Sequence, residues 1–478
     1  MNAIPKAFES QTPNFGLLIN GRLVAGAQTL DVVNPATGKT FVTCPRADIA
    51  QLNEAVAAAK AAFPAWSRKS WADRTGLVLK LADALEGRLE EFAELLTREQ
   101  GKPLAHAKYE IGGAVAMIRA FAAMELPSKV LRENDRERIV QQHAPLGVVA
   151  AITPWNFPVL LLMLKVPPAL LAGNTVVAKP APTTPLTTLR FGEICASILP
   201  PGVVNVIVDQ NDLGGALTQH PDVAKVAFTG STATGRKVMA SVAGTVKRLT
   251  LELGGNDAAI VLEGTNVKEV APKLFMGAMV NSGQVCLAIK RIYAHDSIYE
   301  ELCSELAKLA QNAVVGDGMN AATQFGPIQN KMQYEKVKEF IADGHARGKV
   351  IAGGQPLNRE GYFIAPTIVR DIPDDARLVR EEQFGPVVPV LKYSDVNDAI
   401  ARANSTEYGL GGTVWGDSER ACEVAARMDT GTVWVNKHLE LPPDIPFAGA
   451  KQSGFGTEMG VAGLEEFTQS KIINLAKP

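Results

Sequence analysis

Between Gly147 and Leu262 the chain repeats one rhythm, and that rhythm constrains the fold more than any other feature. Short runs rich in β-branched and other apolar residues lie at 148–152, 175–178, 203–208, 223–228, 248–253 and 258–262. Longer segments of helical pattern, such as 186–198 and 232–242, separate most of them. Strands that are apolar along their whole length are buried on both faces, and helical crossovers supply the cover. The segment therefore predicts an α/β fold built on a doubly wound parallel sheet. Ligands of such sheets gather at the carboxyl ends of the strands. A second α/β unit is expected from Gly254-Gly255 to beyond Val435, with helices at 267–279, 299–313 and 419–428 and strands at 387–391 and 431–435. Pro389 would confine the first of these strands to an edge or a bulge.

Ahead of this region, residues 16–31 read as short strands joined by an Asn20-Gly21 hairpin turn. Asp48 can cap a helix carrying Leu52, Ala55, Val56, Ala59 and Phe63, which Pro64 would end. A second helix from Trp71 carries Leu77, Leu81 and Leu85, and a third stops at Gly101-Lys102-Pro103. Residues 128–145 read as an exposed, charged hairpin with little core of its own, so it needs something to pair with. Residues 470–475 form a strand-like tail.

A chain of 478 residues has room for two or three domains with large cores. At 46% hydrophobic and 21% charged residues it has the composition of a folded soluble protein, not of a disordered one. A formal net charge of −2 leaves no overall basic footprint, so no nucleic-acid partner is expected. The five cysteines form no CxxC pair and the six histidines no HExxH, which argues against a disulfide framework and a metal site. Residues 1–15 lack an apolar signal core. The most apolar run, 159–164, meets Lys165 and Pro167-Pro168 and is too short to cross a bilayer. The expectation is a cytoplasmic protein in a reducing compartment, without a membrane partner.

Several residues at predicted strand ends carry chemistry. Phe228-Thr229-Gly230-Ser231-Thr232 closes a strand and opens a helix, where Ser231 and free amides can meet a phosphate. Arg236-Lys237 stands where a nucleoside-triphosphate loop needs Lys followed by Ser or Thr, and no GxGxxG follows a strand. In Thr153-Pro154-Trp155-Asn156-Phe157-Pro158, two prolines fix a loop that presents an amide between aromatics. Lys179-Pro180-Ala181-Pro182 sets a cation at the next strand end. Glu252-Leu253-Gly254-Gly255 sets a carboxylate at another, with space beside it. Finally, Asn281-Ser282-Gly283-Gln284-Val285 delivers the thiol of Cys286, with Leu287 after it. A lone cysteine is more often core than catalyst, and Cys44, Cys195, Cys303 and Cys422 take that reading. Cys286 differs because the chain also offers a base and an oxyanion donor.

In this order and spacing, T-P-W-N-F-P at 153–158, K-P-A-P at 179–182, F-T-G-S-T at 228–232, E-L-G-G at 252–255, S-G-Q-V-C at 282–286, E-Q-F-G-P at 382–386 and P-F-A-G-A-K-Q-S-G-F-G at 446–456 resemble the aldehyde dehydrogenase superfamily, in its hydrolytic, NAD(P)-dependent branch. The resemblance covers essentially the whole chain. It implies a dinucleotide-binding domain of residues 1–126 and 146–254 and a catalytic domain of 255–456. It also implies oligomerisation elements at 127–145 and 457–478 that assemble a homodimer or homotetramer. Cys286 would attack the aldehyde carbonyl, and the Asn156 amide and the Cys286 N–H would hold the oxyanion. Hydride would leave to the nicotinamide, and Glu252 would activate the water that hydrolyses the thioester, with Lys165 as a nearby proton relay. On the cofactor side the resemblance implies Trp155, Lys179, Phe228, Gly230, Ser231, Gly254, Glu382 and Phe384. Lys179 would meet the adenine ribose, Ser231 the pyrophosphate and Glu382 the nicotinamide ribose. The pocket walls would be Phe157, Leu160, Leu164, Val285, Leu287, Leu441, Ile445 and Phe447. They offer no arginine for a carboxylate and no aromatic cage for a quaternary ammonium, so an apolar aliphatic or aromatic aldehyde is expected.

Three positions depart from the family pattern. Pro182 stands where NAD-preferring members often carry Glu. Asp209-Gln210-Asn211-Asp212 replaces a glycine-containing loop, and Ala448-Gly449 replaces a glycine pair. Pro182 leaves NADP possible. Asp209 and Asp212, if beside the ribose, would repel a 2′-phosphate, so NAD is expected to be preferred. The competing readings are a cofactor-independent thiol esterase and a non-catalytic oligomeric binding protein. The joint presence of Cys286, Glu252 and Asn156 counts against the second, and Glu252 counts against a CoA-acylating variant.

Overall fold

A computed structural model describes residues 15–478. The expectation that no apolar signal core precedes Gly16 falls, except for Phe15, outside the described residues. Five parallel strands form the centre of an eight-stranded sheet, in the spatial order Val204–Val206, Thr175–Lys179, Val148–Ile152, Val223–Thr229 and Arg248–Glu252. Leu17–Ile19 and Arg22–Val24 extend one edge as the expected hairpin, with Asn20 and Gly21 at φ 51° and 74°. Gly454–Phe455 closes the other edge. From Val148–Ile152 the strand order runs outward in both directions, so the switch point of the doubly wound sheet lies beside this strand. Its carboxyl end is in register with both neighbours: Ile152 pairs with Lys179 on one side and Phe228 on the other, and Thr229 pairs with Glu252. The loops carrying Asn156, Lys179, Gly230 and Glu252 therefore leave from one edge.

The second sheet has seven strands, ordered Lys349–Ala352, Thr367–Arg370, Val387–Tyr393, Arg291–His295, Ala258–Val261, Gly411–Trp415 and Thr432–Val435. Ala258–Val261, which the rhythm of the sequence groups with the first sheet, belongs here, paired in parallel with Arg291–His295 and Gly411–Trp415. The chain leaves the first sheet after Glu252, where the Leu253 N–H donates to the Ser453 carbonyl (2.9 Å), and Gly254-Gly255 carry it across. Pro389 sits in an interior strand and not at an edge, opposite Val369. A residue in a parallel strand directs its N–H to one neighbour only, so Pro389 forfeits one ladder bond while Val388 and Val390 keep theirs.

The helix Ile49–Ser67 does not stop at Pro64. Its last turn is pinned by Trp66, which is 1% exposed and donates its indole N–H to the Leu170 carbonyl (3.2 Å). The hairpin Lys129–Glu133 and Glu137–Pro145 finds a partner inside the chain: Thr468–Ala476 pairs antiparallel along the whole length of its second strand. This three-stranded sheet exposes Val130, Leu131, Ile472, Ile473 and Leu475. Among the described residues no helix is long and apolar enough to cross a membrane.

Candidate active site

The thiol is presented by an unusual turn. After the helix Val267–Met279, three successive residues adopt left-handed backbone: Asn281 (φ 51°), Ser282 (φ 56°) and Gly283 (φ 72°). Two of them carry side chains, an uncommon conformation that the surroundings must hold in place. Ser282 Oγ donates to the Gly326 carbonyl (2.7 Å) and Asn281 Nδ2 to the Asn156 carbonyl (3.2 Å). Gln284 Nε2 donates to the Asn281 carbonyl (2.8 Å), and its Oε1 accepts from the Gln329 N–H (2.8 Å). A side chain at Gly283 would meet the Gly385 carbonyl at 2.2 Å. The result is a partly exposed Cys286 between buried Val285 and Leu287.

Asn156 comes from the first sheet's switch-point loop and reaches this turn directly. Its Nδ2 donates to the Gln284 carbonyl (3.0 Å), which leaves the second amide hydrogen free for a further acceptor. The Lys290 ammonium donates to the carbonyls of Val285 (2.9 Å), Cys286 (2.6 Å) and Ala288 (3.4 Å). A trans peptide points its C=O and the following N–H in opposite directions, so the Cys286 N–H faces away from Lys290. No group among the described residues takes up that N–H. Gly255 lies against the same loop, where a Cβ would sit 2.7 Å from the Cys286 carbonyl.

Glu252 is 5% exposed, and neither carboxylate oxygen has a hydrogen-bond partner among the described residues. Burial holds its pKa well above the ordinary value; the charge of Glu458 adds to the effect and Lys165 opposes it. Lys165 is fully buried and donates to Thr229 Oγ1 (2.7 Å) and Glu458 Oε1 (2.5 Å). Burial likewise pushes the Cys286 thiol up to about 12; Lys290 lowers it, and Glu382, Asp257 and Glu252 raise it. At rest the thiol is protonated, and an unpartnered carboxylate lies near enough to act on it electrostatically. Such an arrangement can take a proton from a thiol or a water.

A second group lines the same edge. Glu382 Oε1 accepts from the Gly255 N–H (3.0 Å), and a side chain at Gly254 would strike Glu382 Oε2 at 2.5 Å. Phe384, at φ 51°, packs its ring edge-on to Trp155, with centroids 5.2 Å apart. Ser231 caps the helix Thr232–Ala243 by accepting from the Thr234 N–H (3.3 Å), and the Gly230 N–H donates to the Glu252 carbonyl (3.0 Å). The buried Phe228 ring lies against Gly230. Lys179 Nζ is 2.6 Å from Asp209 Oδ1, with both side chains buried. Asp209 Oδ2 also accepts from the Leu213 N–H (3.0 Å). Asp212 pairs with Arg46 (2.6 Å) and accepts from the Gln210 N–H (2.9 Å). Each aspartate is thus paired with a cation and a backbone amide, so neither presents a bare charge of the kind expected to repel a 2′-phosphate. Cation, capped helix start and carboxylate, with bare glycine backbone beside them, are a donor set that fits a dinucleotide.

Of the expected pocket walls, Leu164, Val285, Leu287 and Phe447 are buried, and Phe157 and Leu160 partly so, in one apolar cluster with Cys286. Leu441 (38%) and Ile445 (53%) are exposed. Sequence reasoning overlooked Lys102 and Glu110, a fully buried ion pair behind the Asn156 loop. Lys102 Nζ donates to the Asn156 carbonyl (2.9 Å) and lies 3.7 Å from the Phe157 ring centroid. Glu110 Oε1 accepts the N–H groups of Val159 and Leu160. The available signal was a carboxylate inside the apolar stripe of the helix Leu104–Ala122.

Residues 23–473 match the model of the aldehyde dehydrogenase family. The chain belongs to the aldehyde dehydrogenase family. It is 39% identical over 495 residues to the phenylacetaldehyde dehydrogenase of Pseudomonas fluorescens, spanning 100% of this chain and 99% of that one. Among solved structures, the NAD+ complex of an aldehyde dehydrogenase from Bacillus cereus superposes with a TM-score of 0.96 at 36% identity, covering 100% and 99% of the two chains. An NADP-dependent enzyme from E. coli superposes with a TM-score of 0.94 at 34% identity, covering 97% and 98%. Fold class and family membership thus agree with what the motifs implied.

Proposed function

We propose that this aldehyde dehydrogenase oxidises an apolar aliphatic or aromatic aldehyde to the carboxylic acid, with NAD as the preferred cofactor. The observation that carries the reading is the buried, unpartnered Glu252 carboxylate on the same edge as the Cys286 loop and the Asn156 amide. The Cys286 thiol releases its proton to solvent water, and the thiolate adds to the aldehyde carbonyl. The free Asn156 amide hydrogen and the Cys286 N–H hold the resulting oxyanion. When bound, the nicotinamide cofactor supplies the hydride acceptor that turns the thiohemiacetal into a thioester. Glu252 then accepts a proton from the water that attacks the thioester, releasing the acid and restoring the thiol. Lys165, buried against Thr229 and Glu458, relays the proton away from the site.

Trp155, Lys179, Phe228, Gly230, Ser231, Gly254, Glu382 and Phe384 would hold the dinucleotide. NAD is supported by the Bacillus cereus complex, and NADP use stays open through the E. coli relative. The apolar walls and the phenylacetaldehyde dehydrogenase relative support the substrate class. Residues 1–126 and 146–254 would bind the cofactor and 255–456 carry the thiol. The exposed apolar sheet formed by 127–145 with the C-terminal strand would join copies into a dimer or tetramer. The test is turnover of a panel of aldehydes with NAD and NADP, followed by absorbance of the reduced cofactor. The expected result is highest kcat/KM for phenyl- or alkyl-substituted aldehydes. Preference for a carboxylated or quaternary-ammonium aldehyde would overturn the substrate reading.

A further inference from the structure

Lys290 is 2% exposed, and its ammonium is turned inward on the loop that carries the thiol. A buried lysine needs partners to offset its desolvation, and this one collects three carbonyls of a single short segment, those of Val285, Cys286 and Ala288. It also lies 3.7 Å from Glu382 Oε1. Its own backbone is fixed from both sides: the Lys290 N–H donates to the Asp257 carbonyl (2.9 Å), and Gln383 Nε2 donates to the Lys290 carbonyl (2.9 Å). The ammonium is therefore a clamp joining the nucleophile loop to the Glu382 loop.

We infer that Lys290 is a positioning residue for Cys286: its ammonium fixes the 285–288 backbone, turns the Cys286 N–H toward the oxyanion position, and supplies positive charge beside the thiolate as it forms. This rests on the reading of Cys286 as the nucleophile. The charged groups that face the thiol are Glu382, Asp257 and Glu252, all of which oppose its ionisation, and Lys290, which favours it. Those facing Lys290 are Glu382, Asp257 and the half-buried His438, whose Nε2 donates to the Leu287 carbonyl (2.7 Å). Without the Lys290 charge, three carboxylates would surround the thiol unopposed by it.

Two substitutions separate the contributions. Lys290→Gln keeps hydrogen-bond donors near the carbonyls and removes the charge, whereas Lys290→Arg keeps the charge and alters the geometry. The readout is the rate of Cys286 alkylation by iodoacetamide against pH in the cofactor-free protein, with Cys286→Ala identifying the labelled site. Each unit by which the thiol pKa rises cuts the thiolate about tenfold. Higher intrinsic nucleophilicity restores roughly threefold of that, leaving alkylation about threefold slower per unit. The expected result is slowing of at least about threefold in Lys290→Gln at every pH between 7 and 9, with Lys290→Arg within about twofold of wild type. If Lys290→Gln is too unstable to assay, Lys290→Arg carries the test through the split between kcat and KM, a lowered kcat at unchanged KM being expected. Wild-type alkylation in Lys290→Gln, or wild-type kcat in Lys290→Arg when that variant must stand alone, would overturn the inference. Retained dehydrogenase turnover in Cys286→Ala would instead overturn the underlying reading of the nucleophile, so the two failures are distinguishable.

Discussion

The side-chain amide of Asn156 donates to the Gln284 carbonyl over 3.0 Å, two residues ahead of the thiol, and so ties the switch point of the first sheet to the nucleophile turn. One amide hydrogen is used as an anchor and the other is left for chemistry. Asn156→Ala is expected to lower kcat by about 10²–10³-fold, the range for loss of one preorganised oxyanion donor. KM should move little. Steady-state kinetics decide it, and a loss confined to KM would count against an oxyanion role.

Glu252→Gln should leave the first hydride transfer faster than turnover, giving a burst of reduced cofactor followed by a slow steady state. Disappearance of the burst would mean that Glu252 also serves as the base for Cys286.

The same substitution has a stability signature. A carboxyl whose folded pKa is raised above its ordinary 4.5 contributes stability below that value, and this is lost as pH rises through the folded pKa. Gln cannot ionise and escapes the loss. Thermal melting of Glu252→Gln should match or exceed wild type at pH 5 and exceed it by a wider margin at pH 9. An equal margin at both pH values would show that Glu252 is not held neutral by burial.

Asp209 neutralises Lys179 across 2.6 Å in a buried pair, so its removal frees a cation. Asp209→Asn is expected to raise kcat/KM for NADP relative to NAD by about tenfold, or ~1.4 kcal/mol, at some cost in stability. Asp212→Asn should change the ratio by less than about twofold, because Asp212 pairs with Arg46 at the surface. A ratio unmoved by Asp209→Asn would separate Lys179 from cofactor discrimination.

Lys102→Met would strand Glu110 as an unpaired buried charge and should destabilise the fold by about 3–5 kcal/mol. Lys102→Met/Glu110→Gln should recover part of that stability yet keep a lowered kcat, because the Asn156 carbonyl has still lost the Lys102 ammonium. Recovery of both melting temperature and kcat in the double variant would confine the pair to stability.

The strand and helix rhythm, the hairpin turn at Asn20-Gly21, and the placing of Asn156, Lys179, Ser231 and Glu252 at strand ends were legible from the chain alone. Each depends on the residue's own backbone preferences and on the apolar pattern of its neighbours, which are local. Whether Ala258–Val261 joins the first or second sheet is not local: an apolar run of that length suits either, and its pairing with Arg291–His295 and Gly411–Trp415 decides. Pro64 and Pro389 read as breaks because proline lacks a donor, and were overruled by Trp66 packed on Leu170 and by flanking ladder bonds. The left-handed turn at 281–283 left no mark beyond one glycine, since its other two residues are held there by Gly326, Asn156 and Gln284. Electrostatic state was the least legible. Asp209 and Glu252 are both buried carboxylates, yet one lies 2.6 Å from the Lys179 ammonium while the other meets no donor and is driven toward its neutral form. Sequence sets which groups can ionise; desolvation and the distance to the nearest opposite charge, which exist only in the folded chain, set which of them do.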